Sequence, residues 1–295
     1  MNLINKSVLV SGANYFNNEY LINPLMSSAQ SIDSSMAIKE HNLLVSTLKD
    51  IGIDVIQVAP PEKCQDGIYV ANWGIVIDGK VVPSKLPNTR KNEEQYARSI
   101  FEDLNLEIID LPDTVQYFSG QGDCLTVDDY LFCQSPYRTS LNAHQYLKEI
   151  FKNKTIISLQ TKPLRWFKIG PKKINKVTGL IDSFSYDLDL ALAILKPSTT
   201  ESLPIIAYCP TRFTRKSKKI INSLTNFRKI KVTNKECIKN YALNLISTGE
   251  TVIINKGTIK FKNDLINNGF KVIELELNEL KKGGGSIRCC CLTLK

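Results

Sequence analysis

The stretch WGIVIDGKVVPS (residues 73–84) decides the fold class, because two short apolar runs flank the pair Asp78-Gly79. An Asp-Gly pair between runs rich in Val and Ile predicts two antiparallel strands joined by a tight turn. The same pattern returns as DCLTVDDYLFCQ (residues 123–134), with Asp128-Asp129 at the turn. Strands that come in pairs argue against strict strand–helix alternation, and therefore against a doubly wound parallel sheet.

Helical segments separate the paired strands. The hydrophobic spacing predicts helices over residues 35–51, 92–104, 141–151, 216–224, 236–246 and 259–268. A unit of one helix and two or three strands recurs roughly five times along the chain. Such ββα-type repeats favour an α/β fold in which the units form a closed radial array around a central site.

The chain is predicted to be one domain over residues 1–295, because no Gly/Ser-rich linker or low-complexity block divides it. A content of 43% hydrophobic residues is enough to bury a large core. The least regular segment is 161–178, which contains Pro163, Pro171 and many lysines. We interpret this segment as a long loop or lid.

The formal net charge is +9, and part of the excess lies in residues 212–239. No interleaved aromatic residues or zinc-finger pattern accompany these charges, so a solvated helix face explains them better than nucleic-acid binding. The chain contains no apolar run of about 18 residues, and no membrane association is expected. Its first residues, MNLINKSVLVSGAN, lack the pattern of a signal peptide, so we expect a cytoplasmic protein.

Eight cysteines are present, but none forms a C-x-x-C pair and only two histidines accompany them. This pattern argues against a structural zinc site, and no metal ligands are predicted. Most of the cysteines lie in apolar runs, which is typical of buried thiols in a reducing compartment.

The segment KKGGGSIRCCCL (residues 281–292) is the strongest candidate for chemistry. Three consecutive glycines allow the backbone unusual conformations and a close approach to a ligand. A strand after them would place Cys289 and Cys291 on one side and Cys290 on the other. That arrangement suits a nucleophilic thiol at the mouth of a strand, although buried cysteines beside a glycine-rich turn are also common.

Carboxylates form the second candidate feature. Asp187 and Asp189 are two residues apart and would share one face of a strand. The apolar run 190–195 follows them, and burying two carboxylates there costs free energy unless they bind a cation or share a proton. The alternative is that both carboxylates lie on an exposed loop before the strand. Asp66 and Asp123 lie beside predicted strands, a weak signal for each alone. A guanidinium would match this set, because carboxylates bind its fork and a thiolate can attack its carbon.

Six blocks in order resemble the guanidino-group-modifying superfamily, which contains dimethylarginine dimethylaminohydrolase, arginine deiminase and the amidinotransferases. The blocks are VLVSGANYFNNEYLINPLM (8–26), DGIYVANWG (66–74), FSGQGD (118–123), PYRTSLNAH (136–144), SYDLDLA (185–191) and GGGSIRCCCLTL (283–294). The resemblance implies a five-bladed α/β propeller, or pentein, with pseudo-fivefold symmetry and a central site. It also implies a mechanism without a metal or an organic cofactor.

The resemblance further implies roles for individual residues. Cys289 would attack the guanidinium carbon, and the intermediate would be a covalent S-alkylthiouronium. Asp66 and Asp189 match the acids that hold the guanidinium. The remaining candidates for substrate binding are Asn72, Ser119, Asp123 and Arg138. Arg138 matches a basic position that some members use for a substrate carboxylate or for loop closure, and Arg90 is a weaker candidate for the same task.

Two positions depart from the family pattern. Asp187 occupies the position of the catalytic histidine, and Ser119 occupies that of the acid in F-E-G-x-G-D. An aspartate with an ordinary pKa near 3.9 is a poor acid at neutral pH, but burial beside Asp189 would raise its pKa. Loss of the histidine also removes a cation that would stabilise the thiolate. Neither His41 nor His144 matches the catalytic position, and both are expected to be structural.

The run of three cysteines leaves the register of the nucleophile open. The spacing from Gly285 selects Cys289, whereas counting back from L-T-L selects Cys291. We favour Cys289, because the glycines set where the chain enters the site.

The predicted function is a hydrolase that acts on a C–N bond of a small-molecule guanidine, of the short dimethylargininase type. The alternatives are an amidinotransferase and a pseudoenzyme that binds its ligand without turnover. Substrate identity and a homo-oligomeric assembly are left open by the sequence.

Overall fold

The computed structural model describes residues 4–167 and 170–295, and its strands form five sheets of three strands each. The strands are β1 (Ser7–Val10), β2 (Asp54–Gln57), β3 (Gly74–Ile77), β4 (Lys80–Pro83), β5 (Glu107–Ile108), β6 (Cys124–Val127), β7 (Tyr130–Gln134), β8 (Thr155–Leu159), β9 (Leu192–Lys196), β10 (Ile205–Tyr208), β11 (Arg228–Lys231), β12 (Ile246–Ser247), β13 (Thr251–Asn255), β14 (Lys271–Leu275) and β15 (Leu292–Thr293). The helices are α1 (Ser34–Asp50), α2 (Lys91–Asp103), α3 (Ala143–Ile150), α4 (Arg215–Ser223), α5 (Asn234–Lys239) and α6 (Ile259–Asn267).

Every sheet repeats one pattern, in which an antiparallel pair is followed by a helix and a parallel third strand. In the second sheet, β3 pairs with β4 antiparallel, α2 crosses over, and β5 pairs with β4 parallel. The first sheet takes its antiparallel strand from the far end of the sequence, since β15 pairs with β1 and Val8 lies opposite Thr293. The predicted recurrence of about five units is therefore confirmed, with ββαβ as the complete unit.

Local sequence chemistry explains the hairpins and the helix starts. Asp78 and Gly79 have φ values of 51° and 77°, as a two-residue hairpin turn with left-handed central residues requires. Asp33 caps α1 by accepting the backbone N–H of Met36, and Thr214 caps α4 by accepting that of Ser217.

The first strand of each ββαβ unit lies towards the middle of the molecule. β15 contacts β3, β6 contacts β9, and β9 contacts β12. Short 3₁₀ turns lead into three of these strands, namely Val70–Trp73 before β3, Gly120–Gly122 before β6 and Leu188–Leu190 before β9. These turns belong to the blocks that the sequence singled out, so the fold gathers those blocks at its centre.

Two predictions about secondary structure were wrong. The helix expected over 236–246 ends at Lys239, because Tyr241 has a φ of 51° and β12 begins at Ile246. The cysteines do not lie on a strand. Residues 287–290 form a turn, in which Cys290 N–H donates to the Ser286 carbonyl at 3.1 Å, and β15 starts only at Leu292.

The structure bears on three further predictions. All eight cysteines are buried free thiols, as expected. The basic residues of α4 are solvated, since Arg215, Lys216, Lys218 and Lys219 are exposed, whereas Arg212 at the start of the predicted basic run is buried. In the expected loop 161–178, Thr161 bridges to Phe213 and Ile174 bridges to Ile181, while residues 168 and 169 of that prediction lie outside the described residues. Among the helices of the described chain, none is both long and apolar enough to span a bilayer.

Candidate active site

Cys289 lies in the turn directly after the glycine run, and the side chain of Asn244 holds that turn. Asn244 Oδ1 accepts hydrogen bonds from the backbone N–H groups of Ser286 (3.0 Å), Arg288 (3.0 Å) and Cys289 (3.2 Å). Asn244 Nδ2 lies 3.1 Å from Cys289 Sγ, to which it donates. One buried amide therefore fixes both the backbone and the sulfur of the candidate nucleophile.

The glycine run is packed too closely for larger residues. Gly284 has a φ of 93°, and a Cβ there would lie 2.4 Å from Asn23 Oδ1. Asn23 Nδ2 donates to the Gly283 carbonyl at 3.0 Å, and the Tyr186 hydroxyl donates to the Gly284 carbonyl at 2.9 Å. The freedom that the sequence suggested for these glycines is thus used to bring the backbone against side chains from distant segments.

Cys289 lines a small cavity of about 30 Å³, which we call the front cavity. The loops 22–23 and 85–87 and the aromatic side chains of Tyr69 and Tyr186 form part of its wall. The predicted site residues that share this cavity with Cys289 are Asp66, Asn72, Ser119, Arg138 and Asp187. Segments that are up to about two hundred residues apart thus converge on one thiol, which makes this cavity the candidate active site.

The two departures from the family pattern are bonded to each other. Ser119 Oγ donates to Asp187 Oδ1 at 2.9 Å. Asn72 Nδ2 donates to Asp187 Oδ2 at 2.8 Å and lies 2.8 Å from Ser119 Oγ. Asp187 is therefore buried and oriented by two neutral donors, where the family pattern has a histidine and a glutamate.

Arg90 is occupied by protein partners. Its Nε and NH2 lie 2.7 Å and 2.6 Å from the carboxylate of Glu93, and NH1 donates to Asn72 Oδ1 at 2.9 Å. All three side chains are buried. Arg90 thus orients Asn72 and is not available for a substrate carboxylate, so its candidacy for that task is withdrawn.

Arg138 has a free charge at the wall of the front cavity. Its guanidinium lies 5.4 Å from the ring centroid of Tyr186 and donates to Thr178 Oγ1 at 3.2 Å and to the Ile22 carbonyl. Within the described residues it makes no ion pair with a carboxylate. A buried cation without a counterion is costly, and an anionic group of a ligand would offset that cost.

Asp123 lies beside the site without lining the front cavity. Its Oδ1 accepts from the backbone N–H of Leu188 at 3.2 Å and from Gln134 Nε2 at 3.1 Å. In this structure Asp123 therefore contacts the segment that carries Asp187 and not the front cavity, and its contact with substrate stays a prediction. Asp123 fixes the segment that carries Asp187.

Asp189 reaches the site through the nucleophile. The Cys289 thiol donates to Asp189 Oδ2 at 3.3 Å, whereas Asp189 Oδ1 has no hydrogen-bond partner among the described side chains and backbone. Asp189 does not line the front cavity. It lines a second, separate cavity. In this structure Asp189 therefore contacts the thiol. To bind a guanidinium in the front cavity, its side chain would have to move.

Burial sets the protonation of the site. It raises the pKa of Asp66 to about 7, against the opposing effect of the Arg90 cation. Burial also raises the pKa of Asp187, and burial together with the charge of Asp187 raises that of Asp189. The pKa of Cys289 lies well above its usual range, because the thiol is buried beside Asp189 and Asp187. Without a ligand, the nucleophile is a neutral thiol at pH 7.

The other cysteines and the histidines lie elsewhere. Cys290 and Cys291 are fully buried in the core cluster of the first sheet, and neither lines the front cavity. His144 contacts Ser158 Oγ and the Gln134 carbonyl, and buried His41 belongs to α1. Among the candidates for nucleophile, Cys289 alone reaches the cavity. Neither histidine does.

Sequence reasoning missed Asn244, which lies 45 residues before Cys289 in an unremarkable segment, NYALNLI. A buried Asn between apolar residues was the only available signal. Within the described ranges, no group of three or more His, Cys, Asp and Glu side chains is arranged to hold a metal ion.

A family model described as N,N-dimethylarginine dimethylhydrolase, eukaryotic, matches residues 12–161, which is half of the chain. The bifunctional arginine dihydrolase/ornithine cyclodeaminase ArgZ of Synechocystis sp. is 26% identical over 97% of this chain, but the match covers only 37% of ArgZ. The N(G),N(G)-dimethylarginine dimethylaminohydrolase of Mycobacterium tuberculosis is 26% identical over 95% of this chain and 83% of that protein.

A comparison with solved structures also finds a relative that matches nearly the whole chain. The crystal structure of the N-terminal domain of ArgZ, in a cysteine-to-serine mutant bound to substrate, superposes with a TM-score of 0.83 at 25% identity. The superposition covers 98% of each chain. The present chain thus spans about one third of full-length ArgZ and nearly all of its N-terminal domain.

The Asn244 clamp predicts different outcomes for two substitutions. Asn244→Ala leaves three backbone N–H groups without their acceptor and should destabilise the fold by roughly 3 kcal/mol or more, measured by denaturant unfolding. Asn244→Asp keeps an acceptor but places a charge against the thiol. It should retain most of the stability and slow alkylation of Cys289 by iodoacetamide about tenfold or more at pH 8. Equal alkylation of the Asp variant and the parent protein would contradict this account.

The raised pKa of Asp66 makes stability depend on pH. The folded protein binds a proton there up to about pH 7, whereas the unfolded chain releases it near pH 4, so this group lowers stability as pH rises between those values. Asp66→Asn removes the effect. Its melting temperature should exceed that of the parent protein by at least about 2 °C at pH 8 and by much less at pH 5. A difference that does not grow with pH would show that Asp66 is ionised throughout.

Proposed function

Because this chain belongs to the N,N-dimethylarginine dimethylhydrolase family of the guanidino-group-modifying superfamily, we propose that it hydrolyses a C–N bond of a small guanidine through Cys289. The observation that carries the proposal is the thiol of Cys289 in one cavity with Asp66, Asp187 and Arg138. A planar cation between carboxylates, an anionic end near Arg138 and a thiol at the central carbon describe an arginine-like substrate.

Arginine or a methylated arginine is the proposed substrate class. ArgZ is named an arginine dihydrolase, and the mycobacterial relative is named a dimethylarginine dimethylaminohydrolase. In this chain, Arg138 lines the front cavity as a buried cation without a carboxylate partner among the described residues, and it suits the substrate carboxylate. Asp66 suits the guanidinium, since its carboxyl lines the same cavity and binding of a cation would favour its ionised form.

The first half of the reaction begins with formation of the thiolate. The bound guanidinium adds a positive charge beside Cys289, which lowers the cost of moving the thiol proton to Asp189, 3.3 Å away. The thiolate then forms a C–S bond to the central carbon. The C–N bond to the leaving amine breaks as that amine accepts a proton, and a cationic S-alkylthiouronium remains on Cys289.

Asp187 is the proposed acid for the leaving amine. Burial raises its pKa, which favours the protonated form over that of an exposed aspartate, and Ser119 and Asn72 fix its orientation. An aspartate in this role operates best below the pH at which a histidine would. The second half adds water to the thiouronium carbon, and the C–S bond breaks to release the ureido product.

The front cavity is smaller than a site that encloses a ligand the size of arginine. Its volume of about 30 Å³ compares with several hundred Å³ for typical ligand sites. Entry of substrate therefore requires the loops at 22–23 and 85–87 to move apart. We expect these loops to close again over the bound substrate and to exclude bulk water from the front.

A non-catalytic ligand-binding relative is the second candidate. The specific observation in its favour is the bonded pair Asp187–Ser119 in place of the family's histidine and glutamate. Such a protein would bind the guanidine without forming the covalent adduct.

Further expectations complete the proposal. We propose that the five sheets close into a five-bladed propeller around the front cavity, on the basis of the contacts between β15 and β3, β6 and β9, and β9 and β12. A single domain and a cytoplasmic location stay predictions from the sequence. A homo-oligomer is left open, and the small guanidine substrate is the proposed partner.

Labelling and turnover test the nucleophile. Incubation with a chloroacetamidine should add one label at Cys289, located by peptide mapping, and arginine or methylated arginines should yield a ureido product. Cys289→Ser should abolish both, whereas Cys291→Ser is the matched control and should retain most of the turnover. An unlabelled Cys289, or turnover that survives Cys289→Ser, would refute the proposed mechanism. A labelled thiol without any ureido product would favour the non-catalytic alternative.

The Asp187–Ser119 pair predicts a dependence between two substitutions. Asp187→Asn should lower kcat by roughly 100-fold or more, because it removes the proton donor while it keeps the shape. Asp187→His alone should also be poor, since the neutral hydroxyl of Ser119 stabilises an imidazolium less than a carboxylate does. Combined with Ser119→Glu, Asp187→His should recover at least about tenfold and shift the pH optimum upward. Equal activity of the single and double variants would disprove the coupling.

A further inference from the structure

A second cavity, of about 190 Å³, lies where the inner strands of the five sheets meet, and we call it the rear cavity. Residues of β3, β6, β9 and β15 line it, together with Leu243 and Leu245 just before β12. Thr126 and Ile194 on its wall are partly exposed, whereas Asp189 is buried. The rear cavity therefore extends from the surface of the described chain to Asp189, and it has room for several water molecules.

Asp189 connects the two cavities. No lining residue is common to both, yet Asp189 of the rear cavity touches Cys289 of the front cavity through the 3.3 Å contact between Oδ2 and Sγ. The other carboxylate oxygen, Oδ1, is buried and has no hydrogen-bond partner within residues 4–167 and 170–295. A buried acceptor of this kind beside a cavity is a site for an ordered water.

In the proposed reaction, the thiolate and later a water molecule must both reach the central carbon of the guanidine. The front cavity has room for the guanidinium but not for an additional water molecule. With about 30 Å³ of its own, it is filled by the guanidinium, and the substrate stem then occupies the path between the loops. Water for the second half-reaction needs another route. The rear cavity ends at Asp189, whose side chain contacts the Cys289 sulfur that carries the intermediate.

We propose that the rear cavity delivers the water that hydrolyses the thiouronium on Cys289, and that Asp189 positions this water and accepts its proton. The inference rests on the proposed function. As the released amine departs, Asp189 first passes the thiol proton of the first half to it and becomes a carboxylate again. The water oxygen then forms a bond to the central carbon, and one water proton passes to Asp189. The C–S bond breaks with its electron pair returning to Sγ, which takes up the second proton. The ureido product leaves, and the proton on Asp189 returns through solvent to Asp187, which restores both acids.

The charges of the rear cavity suit a neutral reactant. Arg288 lines it with a buried guanidinium, which donates to Gln121 Oε1 at 2.7 Å and to the Cys291 carbonyl at 2.7 Å. This cation opposes entry of a guanidinium or ammonium ion from the rear, while water is unaffected. The cationic guanidine would thus enter through the front cavity, and neutral water would enter through the rear cavity.

Two substitutions that fill the rear cavity test the proposal. Thr126→Phe at the partly exposed wall and Ala193→Leu within it leave every front-cavity residue in place. Labelling of Cys289 by chloroacetamidine should keep the parent rate. Ureido product should form at least tenfold more slowly, and acid-quenched protein should hold most of its Cys289 as the thiouronium, measured by intact mass. The KM for the guanidine should change little or fall.

The matched control is Thr251→Phe, a partly buried threonine of β13 that lines neither cavity. It should behave as the parent protein does. If either folded filling variant turns over at the parent rate without accumulating adduct, the rear route is wrong. If the parent protein itself forms no adduct at Cys289 with any guanidine or with chloroacetamidine, the proposed function fails instead, so the two failures are distinguishable. Thr126 is partly exposed, so its variant tests the route even if Ala193→Leu does not fold.

Discussion

The amide of Asn244 is the contact on which the rest of the site depends. A turn of four residues has few hydrogen bonds of its own, and here one Oδ1 satisfies two N–H groups of the turn and that of Ser286 just before it. Asn244 is in turn held by the fifth sheet, since Asn255 of β13 donates to its carbonyl at 3.3 Å. The position of Cys289 is therefore set by the sheet and not by the glycine run alone. The glycines serve chiefly to let the backbone pass close to Asn23 and Tyr186.

Buried carboxylates dominate the energetics of this centre. Asp66, Asp123, Asp187 and Asp189 are all buried, and burial raises the pKa of each. Arg90 is largely neutralised by Glu93, which leaves neutral donors to orient the acids. Ionising these buried acids without a cation nearby is costly. Under the proposed function, a guanidinium ligand would favour the ionised carboxylates and the thiolate together, so part of its binding energy would go into a more reactive Cys289.

The sequence predicted the parts of this protein that depend on local chemistry. Paired strands around Asp78-Gly79, the five repeats and the convergence of Asp66, Asn72, Ser119, Arg138 and Asp187 on Cys289 all followed from short motifs and a resemblance. The choice between Cys289 and Cys291 was harder, since a strand was expected where the chain turns. That turn is imposed by Asn244, a residue far away in sequence, and no local pattern indicates it. Arg90 was misjudged for a similar reason. Its partner Glu93 is one helical turn away, but the sequence does not show that both side chains are buried and that the Arg90 charge is therefore already paired within the protein.

The first sheet is built from opposite ends of the described chain, since Leu9 of β1 lies opposite Leu292 of β15. Pairing of these strands closes a loop that contains nearly the whole molecule, and such a closure is entropically the most demanding contact in a chain of this kind. The four other sheets are assembled from contiguous segments and can form before it. Cys289 is three residues from β15, so the segment that closes the first sheet is also the one that carries the candidate nucleophile. A chain in which this closure has not formed lacks one of the two anchors of that segment, since Asn244 holds the turn and β1 holds the strand after it.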